Sequence, residues 1–132
     1  MASEPTTAIP RTPEAVGITP AVDESYLGLR ASLQRSRPKE DFTPLDQAFQ
    51  FAAQHHGAQV RSSGEPYMVH PLEVTRILAD MNMDMLCLQT GLLHDVVEDT
   101  GTGLDEIRKT FGEEVARCVD GVTKLSKLSV YS

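Results

Sequence analysis

The stretch that decides the fold is residues 84–100, which read DMLCLQTGLLHDVVEDT. Asp84 is placed to cap a helix, and the run from Met85 to Val97 is apolar nearly all round. A helix without a continuous polar face is typical of a buried central element, because only a surface helix needs a solvated side. We therefore expect one helix at the centre of the domain, with other helices packed around it.

Amphipathic helical patterns lie on both sides of this central segment. Thr43 and Pro44 are typical of a helix start, and Gly57 of a helix end. The chain shows no strand-like alternation of useful length, so the predicted fold class is all-α. The predicted flanking helices are 23–36, 43–56, one from His70 with Val74, Ile77, Leu78 and Met81 on its apolar face, one through Leu104 and Phe111, and one from about Glu113.

The amino-acid composition of the chain changes near residue 42. Six of its eight prolines fall in the first 44 residues, and residues 1–20 mix proline with small and polar residues. Such a segment has too little apolar surface to offset the entropy of ordering. The sequence therefore predicts a flexible Pro-rich extension over residues 1–41 and a helical domain over residues 42–132.

Composition and charge exclude several functional classes. The 132 residues are 40% hydrophobic and 23% charged, which is typical of a globular protein with one core. Residues 45–132 carry thirteen acidic and seven basic residues with no basic run, which disfavours nucleic-acid binding. No segment resembles a signal peptide or a membrane span. We expect a cytoplasmic protein that binds neither nucleic acid nor membrane.

The central helix ends in a cluster of polar residues, His94, Asp95, Glu98 and Asp99. Residues four apart share a helix face, so His94 and Glu98 lie on one face and Asp95 and Asp99 lie on the adjacent face. A metal ion at their common edge could bind the His94 imidazole and the Asp95 carboxylate, with Glu98 and Asp99 one turn on to hold or deprotonate a water. Carboxylates near a helix C-terminus oppose the macrodipole, which also favours a cation there.

The obvious third ligand is His70, which follows a loop rich in small polar residues and begins its own helix. With imidazole and oxygen donors and no sulfur, the site suits Mn²⁺, Fe²⁺ or Zn²⁺. The alternative interpretation is that the four polar residues form the solvated end of a helix and that His70 is a capped or exposed side chain.

Three blocks of sequence occur in a fixed order. They are residues 56–71 (HGAQVRSSGEPYMVHP), residues 92–100 (LLHDVVEDT), and Phe111-Gly112 followed by residues 119–125 (VDGVTKL). Over roughly residues 42–128 the chain resembles the hydrolase domain of RelA/SpoT homologues. The resemblance implies a helical HD-superfamily fold. It also implies Mn²⁺-dependent removal of the 3′-pyrophosphate from guanosine tetra- and pentaphosphate, giving GDP or GTP, in the stringent response.

The resemblance also assigns roles to individual residues. It implies that His70, His94 and Asp95 are ligands of one Mn²⁺ ion. It implies that Glu98 and Asp99 are the acidic pair that activates water.

The nucleotide pocket is implied in the same way. Arg61 matches a residue that packs on the guanine, and Ser63 lies nearby in the substrate-binding loop. The chain departs from the family at Ser62, where many relatives have Lys, which removes one charge that attracts phosphate.

A second departure concerns the fourth metal ligand. The family completes its site with an Asp downstream of the Val-Thr-Lys-Leu block, so that ligand is expected beyond Ser132. We therefore interpret the chain as the N-terminal portion of a longer bifunctional protein, in which synthetase (GTP pyrophosphokinase) and regulatory domains follow. Residues 1–132 alone are expected to be inactive or only very weakly active.

Two other functions stay open on the sequence. One is a degenerate regulatory HD module that restrains a fused synthetase, and the other is an HD phosphohydrolase acting on a different nucleotide. A complete set of candidate site residues favours an enzyme over the first. Arg61 and residues 64–67 favour the alarmone over the second.

Overall fold

The computed structural model describes residues 20–56, 60, 62–100 and 102–129, and most of them are helical. In chain order the helices are α1 (Pro20–Ser36), α2 (Thr43–His56), α3 (Val69–Asp80), α4 (Met85–Thr100), α5 (Leu104–Phe111) and α6 (Glu113–Ser129). Over these residues the only extended pairing is an isolated bridge between Val60 and Pro66. The all-α prediction is confirmed. None of the described helices is long and apolar enough to cross a membrane.

Helix α4 lies at the centre of the fold, as its sequence predicts. Helices α2, α3 and α6 all pack against it. Its apolar residues Leu88, Leu92, Leu93 and Val96 are completely buried. At its start the Asp84 carboxylate accepts the backbone N–H of Cys87 at 3.0 Å, which satisfies one of the free donors of the first turn. The central position of α4 brings its polar C-terminal half close to the helices on either side.

Helix α1 belongs to the core, which corrects the expectation of a flexible extension for residues 20–41. The apolar residues of α1 that are buried in the core are Val22, Tyr26, Leu29 and Leu33. The helix predicted over residues 23–36 is confirmed, whereas residues 1–19 lie outside the described part of the chain.

The reason for the difference is a polar network between α1 and α2. Tyr26 stacks on Phe49 with ring centroids 4.3 Å apart, and its hydroxyl donates to Asp46 at 2.5 Å. Arg30 donates twice to the same carboxylate, at 2.8 and 3.0 Å. Pairing lets Arg30 and Asp46 be largely buried, and proline content does not reveal such a contact.

Helix α3 buries only part of the predicted apolar face: Leu78 packs against the core, but the buried face is shifted toward Leu72 and Thr75. Ile77 and Met81, expected on the apolar face, are both 58% exposed, whereas Leu72 and Thr75 are buried. The Thr75 hydroxyl donates to the Pro71 carbonyl at 2.8 Å, so its burial leaves no unsatisfied group.

The buried face of α3 is selected by Gly91 on α4. A Cβ at Gly91 would lie 2.7 Å from Thr75 Oγ1, closer than real Cβ contacts, and 3.0 Å from Leu78 Cδ1, which is tighter than most of them. Because Gly91 has no side chain, Thr75 can pack directly against α4 at this position. Helix α3 therefore approaches α4 closely there.

The close approach at Gly91 predicts the effect of adding a methyl group. Gly91→Ala gains up to about 1 kcal/mol in helix propensity. It loses about 1–3 kcal/mol by overpacking against Thr75 and Leu78. We expect a net decrease of up to about 2 kcal/mol in the free energy of unfolding, measured by chemical denaturation.

Gly28 on α1 is the matched control, because a Cβ there would meet nothing within 4 Å. Gly28→Ala is expected to raise the free energy of unfolding by about 0.5–1 kcal/mol. Adding Thr75→Ala to Gly91→Ala should recover part of the loss. Equal effects of the two glycine substitutions would contradict the packing described for Gly91.

The buried network predicts that Asp46→Ala is strongly destabilising. The change leaves Arg30, whose side chain is 11% exposed, without its carboxylate. Because Asp46 itself is partly exposed, we expect a loss of about 2–3 kcal/mol, somewhat below the cost of breaking a fully buried pair. Thermal unfolding measures this loss of stability. Asp105→Ala breaks the exposed pair with Arg108 and should have no measurable effect. A similarly small effect of Asp46→Ala would contradict the role of the network.

Candidate metal centre

Three predicted ligands converge where α3 meets α4. One donor atom each from His70, His94 and Asp95 lies within 4.8 Å of the other two. The Asp95 carboxylate lies between the histidines, with Oδ1 3.1 Å from His94 Nε2 and Oδ2 3.7 Å from His70 Nε2. The side chains of His94 and Asp95 are largely buried, whereas that of His70 is 42% exposed. The cluster is therefore open on the His70 side.

The three candidate ligands come from two helices. His94 and Asp95 are adjacent in α4, and His70 lies in the first turn of α3. The His94 Nδ1–H group donates to the Gly91 carbonyl at 3.0 Å, so that Nε2, which faces Asp95 Oδ1 at 3.1 Å, is the nitrogen placed to bind a cation or a proton. Such a hydrogen bond on the second ring nitrogen is the usual way of orienting a metal-binding histidine.

The interaction between His94 and Asp95 favours the ionised form of Asp95. Burial raises the pKa of Asp95, but the hydrogen bond and charge of His94, followed by the charges of His70 and His56, lower it below 3.8 overall. Burial lowers the pKa of His94, but Asp95, the Gly91 carbonyl and Glu98 together raise it above 6.5. In the absence of metal, a proton on His94 is thus stabilised by the carboxylate that would otherwise bind a cation.

The donor set fits a divalent cation. Two imidazole nitrogens and a carboxylate oxygen suit Mn²⁺, Fe²⁺ or Zn²⁺. Within the described part of the chain, His70, His94 and Asp95 are the group of three side chains that could hold such an ion. The interpretation of His94 and Asp95 as a merely solvated helix end is not favoured, because both are largely buried.

The other predicted site residues lie around this cluster. Glu98 is exposed on α4, one turn after His94, and its charge contributes to the raised pKa of His94. Asp99 follows it in α4, but its side chain is outside the described part of the structure. Ser63 is exposed in the turn before α3, where its hydroxyl accepts the Glu65 N–H at 3.4 Å. Arg61 lies outside the described residues.

Two residues close to the centre were not singled out from sequence. His56, the last residue of α2, is only 2% exposed, and its ring stacks on Tyr67 with centroids 4.9 Å apart. The sequence feature that could have identified them is that both lie within the block of residues 56–71. Their contact depends on tertiary structure.

Comparison with known proteins places these residues in a described family. Residues 48–132 match the family described as HD domain. The GTP pyrophosphokinase of Myxococcus xanthus is 47% identical over 98 residues, which are 74% of this chain and 13% of that protein. A protein named GTP pyrophosphokinase from Streptomyces coelicolor is 52% identical over 84 residues, which are 64% of this chain and 10% of that protein.

A third relative also has pyrophosphokinase in its name and is also much longer than this chain. The probable GTP pyrophosphokinase of Mycobacterium leprae is 48% identical over 91 residues, 69% of this chain and 12% of that protein. The chain therefore spans 10–13% of the length of these relatives.

The raised pKa of His94 predicts a pH dependence of metal binding. Protons compete for Nε2 below that pKa, so competition begins at a higher pH than for an ordinary histidine, whereas Asp95 stays ionised. Between pH 7.5 and 5.5 the dissociation constant for Mn²⁺ should rise, by about tenfold for each pH unit below the pKa of His94. Calorimetric titration measures it, with circular dichroism showing that the protein is folded at both pH values. A constant affinity over this range would rule out His94 as a ligand.

Proposed function

The chain belongs to the HD-domain family and is of the RelA/SpoT type, and from this premise we propose that it carries the metal site of an alarmone hydrolase. The reaction is the removal of the 3′-pyrophosphate of guanosine tetra- and pentaphosphate, giving GDP or GTP and pyrophosphate. The RelA/SpoT resemblance and the HD fold predicted from sequence are both confirmed.

The observation that carries this proposal is the convergence of His70, His94 and Asp95 from two helices onto one point. These three side chains would hold one Mn²⁺ ion, with a further ligand from outside the printed residues. When bound, such a cation lowers the pKa of a nearby water and offsets the charge of a pyrophosphate group. Without it, the acidic side chains nearby would repel the polyanionic substrate.

The acidic residues of α4 supply the base. In the proposal Glu98, which is solvent-exposed one turn from His94, accepts a proton from the attacking water, and Asp99 assists it. The water oxygen bonds to the phosphorus next to the ribose 3′-oxygen, the bond from that phosphorus to the 3′-oxygen breaks, and the 3′-oxygen takes up a proton. Arg61 and Ser63 are proposed to bind the guanosine part of the substrate.

The relatives are named for a different activity, pyrophosphokinase, and the chain corresponds to only 10–13% of their length. We propose that the full-length protein is cytoplasmic and joins the hydrolase site to a synthetase domain and regulatory domains. The HD residues are proposed to act in hydrolysis, because a His-His-Asp cation site beside carboxylates is suited to activating water.

The proposal predicts which substitutions abolish pyrophosphate release. In the full-length protein with Mn²⁺, Asp95→Ala should lower hydrolysis of guanosine tetraphosphate at least about 100-fold, because loss of a ligand removes several kcal/mol of charge stabilisation. Glu98→Gln should lower kcat by about 100-fold with little change in Mn²⁺ affinity. Asp105→Asn, an exposed acid on α5, is the matched control and should leave hydrolysis unchanged.

Three results would contradict this function. Full hydrolysis by Asp95→Ala would remove the metal site from the mechanism. An active synthetase without any hydrolysis would identify a regulatory HD module. Comparable turnover of GTP, ATP and the alarmone would identify a nucleotide phosphohydrolase of a different specificity.

A further inference from the structure

We infer that the stack of the buried His56 ring on Tyr67 is a positioning element of the metal centre, which holds the start of α3 so that His70 meets the His94 and Asp95 side chains. This inference rests on the proposed metal-binding function. It assigns a function to two residues outside the ligand set and the acidic pair.

The stack joins two parts of the chain that enter the site from different directions. His56 ends α2, is 2% exposed, and lies parallel to the Tyr67 ring, with an interplanar angle of 12° and centroids 4.9 Å apart. Tyr67 lies in the turn directly before α3, three residues ahead of His70. The ring pair therefore connects the end of α2 to the start of the helix that carries a ligand.

Helix α3 needs such support because its start lacks a side-chain cap. Its N-cap residue is Met68, in a helical conformation, and no side-chain hydrogen bond caps the helix there. The turn is held instead by the Val69 N–H, which donates to the Pro66 carbonyl at 3.1 Å, and by burial of Met68. The stack on His56 is a contact between this turn and the end of α2.

The position of His70 is sensitive to this turn. His70 is the second residue of α3, and its Nε2 atom is already 3.7 Å from Asp95 Oδ2. Its side chain is 42% exposed, so packing around the ring itself restrains it only partly. A small rotation of the first helical turn would move its nitrogen away from the other two donors. Misplacement by about 1 Å can lower the activity of a site about 100-fold.

His56 also lies within electrostatic range of the cluster. Its charge contributes to the lowered pKa of Asp95, after the larger effects of burial, His94 and His70. Histidines from α2, α3 and α4 thus all contribute to the lowered pKa of Asp95. Helix α2 also packs directly against α4. The stack joins the end of α2, which packs on α4, to the turn that leads into α3.

The test separates ring stacking from general stability. Mn²⁺ alone is titrated calorimetrically into the full-length protein and its variants, with thermal unfolding measured in parallel. His56→Ala and Tyr67→Leu remove the stack and should weaken Mn²⁺ binding about 10- to 100-fold, the range found for outer-shell residues of metal sites. His56→Phe and Tyr67→Phe keep a ring at each position and should bind Mn²⁺ within about threefold of the parent protein.

The matched control is His55→Ala. His55 stacks on Phe51 with centroids 4.1 Å apart, but both residues lie on α2, so this pair does not connect two elements. The control should lower thermal stability without changing the Mn²⁺ dissociation constant. If His56→Ala does not fold, Tyr67→Leu and its rescue by Tyr67→Phe decide the question, because Tyr67 is only partly buried.

The outcomes distinguish this inference from the proposed function. Unchanged Mn²⁺ affinity in Tyr67→Leu and His56→Ala would overturn the positioning role, even if both variants were less stable. A parent protein that binds Mn²⁺ but does not hydrolyse the alarmone would contradict the proposed function and leave the affinity ratios to decide the inference. A parent protein that binds no Mn²⁺ would overturn both.

Discussion

The close contact of α3 with α4 at Gly91 is the constraint on which the site depends. Because Gly91 has no side chain, Thr75 can occupy the place where a Cβ would lie 2.7 Å from its hydroxyl. The same residue accepts the Nδ1–H of His94 through its carbonyl at 3.0 Å, which directs Nε2 toward Asp95. The missing side chain at Gly91 thus permits the close approach of the helix that carries His70, and the backbone carbonyl at the same position orients His94.

Acidic residues are concentrated on α4 near this contact, in a domain whose overall charge is also acidic. Residues 45–132 carry thirteen acidic and seven basic residues, a balance that by itself repels polyanions. Three of the acids, Asp95, Glu98 and Asp99, follow one another within five residues of α4. In the proposed function a cation offsets this charge, and the acids that it neutralises are the groups needed to bind it and to take a proton from water.

Polar side chains also explain where sequence patterns were wrong. Helix α1 is held to α2 by Tyr26 and Arg30 on Asp46, groups that composition assigns to the surface. Conversely, Ile77 and Met81 were predicted to be buried and are exposed, because Gly91 selects the face containing Thr75. In both places a polar residue with a satisfied hydrogen bond is buried where hydrophobic periodicity would place an apolar one.

The sequence by itself determined the all-α class, the central position of α4 and the adjacent pair His94 and Asp95 of the candidate cation site. These features follow from periodicity and from spacing along α4, which are local properties of the chain, whereas His70 reaches the pair from α3. Only the tertiary structure decided which face of α3 is buried, that α1 belongs to the core, and that His56 stacks on Tyr67 beside the ligands. Such contacts join residues far apart in the chain, and their geometry depends on how whole helices pack.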